Sequence, residues 1–261
     1  MRLVRFTTGD DPKYGIIQSE NNQEYIAVLN GDPLFQKTVP TGQRIAIGDG
    51  VRLLTPVIPR SKVVGVGSNY AEHIAEMGHK DTGSPKIFLI PNTAVSGPDD
   101  PILLPDFSDE VSYEVELAVV IGKLAKDVTE EKALQHVLGY TIANDITARD
   151  AQRKDGQWAR AKGFDSALPL GPWIETDLNI EDLDLQTRVN GEVVQKGNTK
   201  DMLAGVPFLI SYISQAFTLL PGDVIITGTP AGVGLIKHAD EVECEIEGIG
   251  VLRNPVLRRS L

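Results

Sequence analysis

A strand-dominated α+β fold is predicted for this 261-residue chain, on three observations. Short stretches at the start alternate apolar and polar residues between Gly, Asp and Asn clusters, which are turn chemistry. Asn190-Gly191 separates two strand-like runs and is a strong hairpin signal. The regular strand–helix alternation that a doubly wound sheet requires is missing.

Taken in order, Leu3-Val4-Arg5-Phe6, Tyr14-Gly15-Ile16-Ile17 and Tyr25-Ile26-Ala27-Val28 read as strands of a small β-rich N-terminal domain, residues 1–59. Pro56, Pro59 and Arg60-Ser61-Lys62 read as a linker into a second, larger domain, residues 60–261. There, 63–66 is a short buried strand and 69–77 has helical spacing. Residues 86–90 and 111–122 are strands, and Thr129-Glu-Glu is a helix start with a hydroxyl cap and acidic first turn. Residues 138–146 return as a strand and 147–158 as a helix. The hairpin joins 185–189 to 192–195. Pro207 suits the first turn of a helix reaching about Phe217. Strands 223–227 and 241–246 close the sheet region.

Composition excludes several function classes. The 36 acidic residues outnumber 25 basic ones, a net charge of −11, which argues against an electrostatic grip on nucleic acid or an anionic membrane. Cys244 is the single cysteine, so neither an intramolecular disulfide nor a thiolate metal cluster can form. The first ten residues lack the apolar centre of a signal peptide, and the longest clean apolar run, 117–121, falls far short of a membrane span. A cytoplasmic location is the expectation.

Glu114 and Glu116 are two apart in a strand and therefore project to one face, at the mouth of an apolar run. Either both face water, or a cation lies between them, since buried like charges repel. A third carboxylate, Asp145, ends the apolar strand 139–144 where it turns into a helix. Three carboxylates without Cys or a His-x-x-x-His pair make an all-oxygen set, which favours Mg²⁺ or Mn²⁺ over zinc. Asp150 is expected instead to form a helix-side salt bridge with Arg149 or Arg153.

His73 and Glu76, three apart on a helix, are either an incidental surface pair or a general base whose carboxylate fixes the imidazole tautomer. His79, His136 and His238 lack such a partner and read as surface residues. Gly65-Val-Gly-Ser-Asn-Tyr70 is not a dinucleotide fingerprint, because the third glycine and the closing acidic residue are absent. Thr227-Gly-Thr-Pro-Ala-Gly-Val-Gly234 is either a tight turn or a backbone cradle for an anion.

Together these segments resemble the fumarylacetoacetate hydrolase superfamily, from Val63 to about Asn254. The resemblance rests on Gly-Ser-Asn-Tyr-Ala-Glu-His-Ile-Ala-Glu (67–76), Tyr-Glu-Val-Glu-Leu-Ala-Val-Val-Ile-Gly (113–122) and Gly-Tyr-Thr-Ile-Ala-Asn-Asp-Ile-Thr-Ala-Arg-Asp (139–150). Leu-Pro-Leu-Gly-Pro-Trp (168–173), Val-Asn-Gly-Glu (189–192), the stretch 220–234 and Ile-Glu-Gly-Ile-Gly (246–250) follow in order. It implies a mixed β-roll, commonly a homodimer, with Glu114, Glu116 and Asp145 as metal ligands. His73 and Glu76 match the family's acid–base pair on a lid helix. Arg149, Gln152 and Lys162 match positions that hold the substrate's carboxylate and oxyanion, and Thr229 matches the loop lining the pocket.

Two departures stand out. Founding members have a fourth acidic ligand before the His, and 63–70 contains none. That moves the chain toward the acylpyruvase and oxaloacetate decarboxylase branch. The family's usual Gly-Lys-Ser-Phe-Asp reads Ala-Lys-Gly-Phe-Asp around Lys162. The implied activity is metal-dependent C3–C4 cleavage of a small anionic 2-oxo acid: oxaloacetate decarboxylation first, acylpyruvate hydrolysis second. Fumarylpyruvate hydrolysis and dienedioate isomerisation or decarboxylation stay open within the superfamily. From another class, a non-catalytic metal- or ligand-binding module does too.

Overall fold

A computed structural model describes residues 1–48, 50–78 and 83–258. The chain opens with β1 (Arg2–Thr7), β2 (Lys13–Glu20), β3 (Gln23–Leu29), β4 (Pro40–Ala46) and β5 (Arg52–Leu54). The first three strands follow the alternation, with Val4, Phe6, Ile17, Ile26 and Val28 in one apolar cluster. β4 has almost no buried side chain and so carries no alternating signature; its backbone pairing to β3 makes it a strand. The stretch between β5 and the next strand is irregular but anchored. Val57 is buried, and Lys62 reaches the buried Asp223 carboxylate through both its N–H (3.1 Å) and its Nζ (2.6 Å).

Next come β6 (Val63–Gly67), α1 (Ala71–Glu76), β7 (Lys86–Ile90), β8 (Val95–Ser96), β9 (Ile102–Leu104), β10 (Val111–Ser112) and β11 (Val115–Ile121). They are followed by α2 (Glu130–Ala133), β12 (Val137–Asn144), β13 (Thr147–Ala148), α3 (Arg149–Asp155), α4 (Ala159–Lys162) and β14 (Leu168–Glu175). The last part holds β15 (Asp184–Val189), β16 (Glu192–Asn198), α5 (Val206–Ala216), β17 (Val224–Ile226), β18 (Glu241–Ile246) and β19 (Gly250–Arg258).

One large mixed sheet runs β4-β3-β2-β1-β14-β12-β11-β17-β6-β7, with β5 added on β1 and β8 on β14. The N-terminal strands join it through β1 and β14, where Leu3 pairs with Ile174. A second sheet, β16-β15-β18-β19-β9, packs beside the first, and β10 pairs with β13. All seven residues of β11 are buried, because neighbours cover both faces. The hairpin is as expected: Asn190 and Gly191 both take positive φ, 53° and 83°, which the two-residue turn requires. No helix among the described residues is long and apolar enough to cross a membrane.

Two boundaries differ from expectation. The stretch 111–122 is not one strand, since it breaks at Tyr113-Glu114 between β10 and β11. The helix expected over 147–158 begins at Arg149 and stops at Asp155, where Gly156 caps it with φ 68°.

Candidate active site

The break between β10 and β11 builds the site. The Glu114 N–H donates to Asn144 Oδ1 at 3.0 Å instead of continuing the ladder, and the Asp145 N–H returns a bond to Glu114 O at 2.9 Å. Glu114 thus leaves the strand just as Asp145 leaves β12. Glu116, paired with Ala143 across the ladder, lies between them. One carboxylate oxygen from each of Glu114, Glu116 and Asp145 lies within 4.8 Å of the others, and all three residues are buried. The continuous strand assumed for 114 and 116 is absent, yet the two carboxylates converge.

Two cations share the burial. Lys162 Nζ donates to Glu114 Oε2 (2.9 Å), Thr147 Oγ1 (2.8 Å) and Asp145 Oδ2. Arg149 reaches Glu114 through Nη2, Ser112 Oγ through Nε (2.7 Å) and Gln152 Oε1 through Nη1 (3.1 Å). The short helix α4 carries Lys162. Gly163, where the family pattern has Ser, leaves no room for a side chain, since a Cβ there would meet Ala159 O at 2.4 Å.

Three acids against two bases leave negative charge in surplus, and the protonation equilibria show where it falls. Burial raises the Glu114 carboxyl, but Lys162 and then Arg149 outweigh it and bring it down to about 2. Burial raises Asp145 to about 7, with Lys162 opposing and Glu114 adding to the rise. Glu116 is pushed well above the carboxylate range by burial and by the charges of Asp145 and Glu114, against Lys162 and a Gly228 N–H bond of 2.6 Å. Lys162 keeps its proton: burial works against the charge, but Asp145 and Glu114 raise the ammonium on balance.

These residues fit a hard divalent cation. The donor set is entirely oxygen. Asp145 Oδ1 is buried without a hydrogen-bond partner, a cost that a coordinated cation removes. The raised Glu116 and Asp145 carboxyls point the same way, since a cation among them would let both ionise.

Above the carboxylates lies the helix α1, which follows the anchored Asn69. That side chain is fully satisfied by Ala204 O (3.0 Å), Thr227 O (2.7 Å) and the Ala204 N–H (2.8 Å). His73 Nδ1 lies 3.0 Å from Glu76 Oε2, and Glu76 Oε1 accepts the Gly232 N–H at 2.9 Å. With Nδ1 turned to Glu76, Nε2 is the nitrogen left to exchange a proton. His73 lines the same 40 Å³ cavity as Glu114, Glu116, Asp145, Arg149, Gln152, Lys162 and Thr229. Of the predicted metal-ligating, catalytic and substrate-binding residues, all except Glu76 therefore border one cavity, and Glu76 holds His73 at its edge. The Thr229 hydroxyl is engaged with Val115 O (2.9 Å) and Gln195 Nε2 (2.8 Å).

Asp150 is a correction. Its carboxylate accepts from Ser108 Oγ (2.6 Å) and from the Asp109 and Ala151 N–H groups, not from Arg149 or Arg153. Arg153 pairs with Glu110, and Arg149 is drawn inward by Glu114. His136 is half-buried, its Nδ1 on Leu124 O at 2.8 Å, and His238 is exposed; His79 lies outside the described residues.

Sequence reasoning missed three contributors. Phe88 and Trp158 form an edge-on pair with centroids 5.0 Å apart and line the cavity, with Lys162 Nζ 5.3 Å from the Phe88 centroid. Gln195 binds Thr229 Oγ1, Pro230 O and the Val115 N–H, fixing the loop after β17 to β11. The glycines 65 and 67 were the available signal for the aromatic pair: a Cβ at either would collide with Phe88 or Trp158.

Comparison with known proteins identifies the family. Residues 62–257 match the family model described as fumarylacetoacetate (FAA) hydrolase C-terminal, and residues 1–56 match one described as Rv2993c-like, N-terminal. The mitochondrial oxaloacetate tautomerase fahd2 of Xenopus laevis is 37% identical, over 98% of this chain and 90% of its own. A crystal structure of 5-carboxymethyl-2-hydroxymuconate delta-isomerase from Mycobacterium smegmatis is 47% identical, with TM-score 0.91 over 99% of this chain and 100% of that one. Fumarylpyruvate hydrolase from Pseudomonas aeruginosa, solved with Mn²⁺ and pyruvate, is 32% identical, with TM-score 0.73 over 82% of this chain and 94% of that one.

Proposed function

The chain belongs to the fumarylacetoacetate hydrolase family, and on that footing we propose that it cleaves the C3–C4 bond of a small anionic 2-oxo acid, above all oxaloacetate, giving pyruvate and CO₂. The observation that carries this reading is the buried set of Glu114, Glu116 and Asp145 with Lys162 and Arg149 among them. Glu114, Glu116 and Asp145 would hold Mg²⁺ or Mn²⁺. When bound, the cation supplies Lewis acidity toward the substrate's 2-oxo oxygen. Three carboxylates and a dication leave one negative charge, which would repel a dicarboxylate; Lys162 and Arg149 turn it into one positive charge. The acidic chain thereby supplies cationic attraction where an anion must enter.

In decarboxylation the C3–C4 electron pair passes into C2–C3 and toward the 2-oxo oxygen as CO₂ departs. Lys162 stabilises the developing enolate charge, and C3 then takes a proton to give pyruvate. Arg149 and Gln152, joined at 3.1 Å, orient the carboxylate end. His73, oriented by Glu76, serves proton transfer at C3. With an acylpyruvate, the same pair would have to activate water against the C4 ketone.

A second reading has its own support. The His73–Glu76 pair and the tautomerase relative favour keto–enol interconversion of oxaloacetate, in which the base removes the C3 proton and C3–C4 stays intact. One experiment separates the two: pyruvate release and enol absorbance followed on the same oxaloacetate sample, with Mn²⁺ and with EDTA. Mn²⁺-dependent pyruvate formation is expected; enol–keto exchange without pyruvate overturns decarboxylation in favour of tautomerisation. His73→Ala should cost hydrolysis or tautomerisation at least tenfold more than decarboxylation, and equal losses would remove the assigned division of roles.

A further inference from the structure

The roles above leave one arrangement unassigned. Gly232 is held from two sides: its N–H donates to Glu76 Oε1 at 2.9 Å, and its carbonyl accepts the Tyr113 hydroxyl at 3.0 Å. Tyr113 immediately precedes Glu114 in the break between β10 and β11. A single glycine therefore joins the lid helix α1 to the segment that turns the first carboxylate inward.

The loop around it is fixed by contacts that do not involve α1. Gln195 holds Thr229 Oγ1 and Pro230 O, each at 2.8 Å, and beyond Gly232 the Ile236 N–H bonds Val111 O at 2.9 Å. Gly232 has φ +101°, and a Cβ would meet Val194 O at 2.9 Å and Gln195 Cα at 3.1 Å. Only glycine presents its N–H in this direction here. With Oε1 taken by Gly232 and Oε2 by His73, the Glu76 carboxylate cannot rotate without losing one partner.

We propose that Tyr113 is a positioning residue, which holds the Gly232 carbonyl so that the Gly232 N–H locks Glu76 and, through it, the His73 imidazole. The proposal rests on reading His73 and Glu76 as the proton-transfer pair. General acid–base catalysis contributes about 10²–10⁴-fold, so loosening the alignment of the pair is expected to cost a fraction of that, about tenfold.

The test uses the full-length protein loaded with Mn²⁺. Tyr113→Phe keeps the ring and deletes only the hydroxyl. It should lower kcat on oxaloacetate about tenfold, with KM and Mn²⁺ affinity changed less than about twofold. Added to Glu76→Ala, the same substitution should cost less than about twofold, because the residue it acts through is gone. Amide hydrogen exchange at Gly232 should speed up in Glu76→Ala and in Tyr113→Phe. Equal losses in both backgrounds, a tenfold loss of Mn²⁺ affinity, or unchanged exchange at Gly232 in Glu76→Ala would each overturn the proposal. If oxaloacetate is not turned over, the proposed function fails, and the exchange measurement decides the latch by itself.

Discussion

β2 and β11 are both interior strands of the same large sheet, β2 between β1 and β3 and β11 between β12 and β17, but they bury different things. β2 buries Gly15 and Ile17 and leaves Gln18, Ser19 and Glu20 in water, where Glu20 meets the exposed Arg44. β11 buries all its residues, Glu116 included, and its entrance packs Glu114 against the buried Lys162 and Arg149. Around β2 the charges lie where they cost almost nothing and contribute almost nothing. At the mouth of β11, charges lie where each carries a desolvation cost of several kcal/mol. A fold able to build the β2 arrangement does not need the β11 arrangement for stability, and the buried charges are what the proposed chemistry requires.

The widest test of that difference removes a carboxylate from the β11 end. Asp145→Ala should abolish detectable Mn²⁺ binding by calorimetry and lower kcat/KM on oxaloacetate by about 10³-fold or more, with the circular dichroism spectrum unchanged. Retained Mn²⁺ binding would show that the three oxygens do not act as one site. Lys162→Met comes next, with a loss of about 10²-fold in kcat/KM and Mn²⁺ affinity kept within a few fold, since it deletes charge stabilisation but no oxygen donor. A loss confined to KM would make Lys162 a binding group only.

The same contrast explains what could be read from the residues alone. Strands with one apolar face, such as β1 to β3, announce themselves by alternation, and the hairpin turn by Asn190-Gly191. β4 was invisible because its side chains are exposed and only its backbone is committed. The break at Tyr113-Glu114 was invisible for the opposite reason: apolar texture continues on both sides, and the interruption is made by Asn144, 30 residues away. Residue types alone left Glu114 with Glu116, and His73 with Glu76, open to a plain surface reading; Asp145 as a third carboxylate and the family resemblance were what singled them out as candidates for chemistry. Gln195 was not singled out: in Val193-Val194-Gln195-Lys196 it reads as one polar position of a hairpin, and only the fold places it between β11 and the glycine loop.

Acid–base linkage gives a smaller effect with a definite sign. Asp145 is raised in the folded protein from 3.8 to about 7, so its contribution to stability is fully present below 3.8 and disappears as pH rises through 7. Glu116 is raised too and acts in the same direction. Glu114, lowered to about 2, contributes stability above its ordinary 4.5 that disappears only as pH falls toward 2, so it is constant across the neutral range. In EDTA, Tm should therefore fall between pH 5 and 8. Mn²⁺ should flatten or reverse that slope, because it binds the deprotonated carboxylates. A metal-free slope of opposite sign would contradict the charge surplus assigned to the site.

The smallest effect belongs to the β2 side, and it sharpens the contrast by being silent in function. Ile26 is fully buried on β3 against Gly15 of β2, its Cγ2 so close that a Cβ at Gly15 would meet it at 2.2 Å. Ile26→Val removes Cδ1 from the buried cluster while keeping Cγ2 against Gly15, and should cost about 0.5–1.5 kcal/mol, or a few degrees in Tm. Because the cluster of Val4, Phe6, Ile17, Ile26 and Val28 holds no charged residue, kcat and KM on oxaloacetate should not move. A change in either beyond about twofold would mean that packing in the N-terminal strands reaches the carboxylates through β1 and β14, the strands that join the two regions.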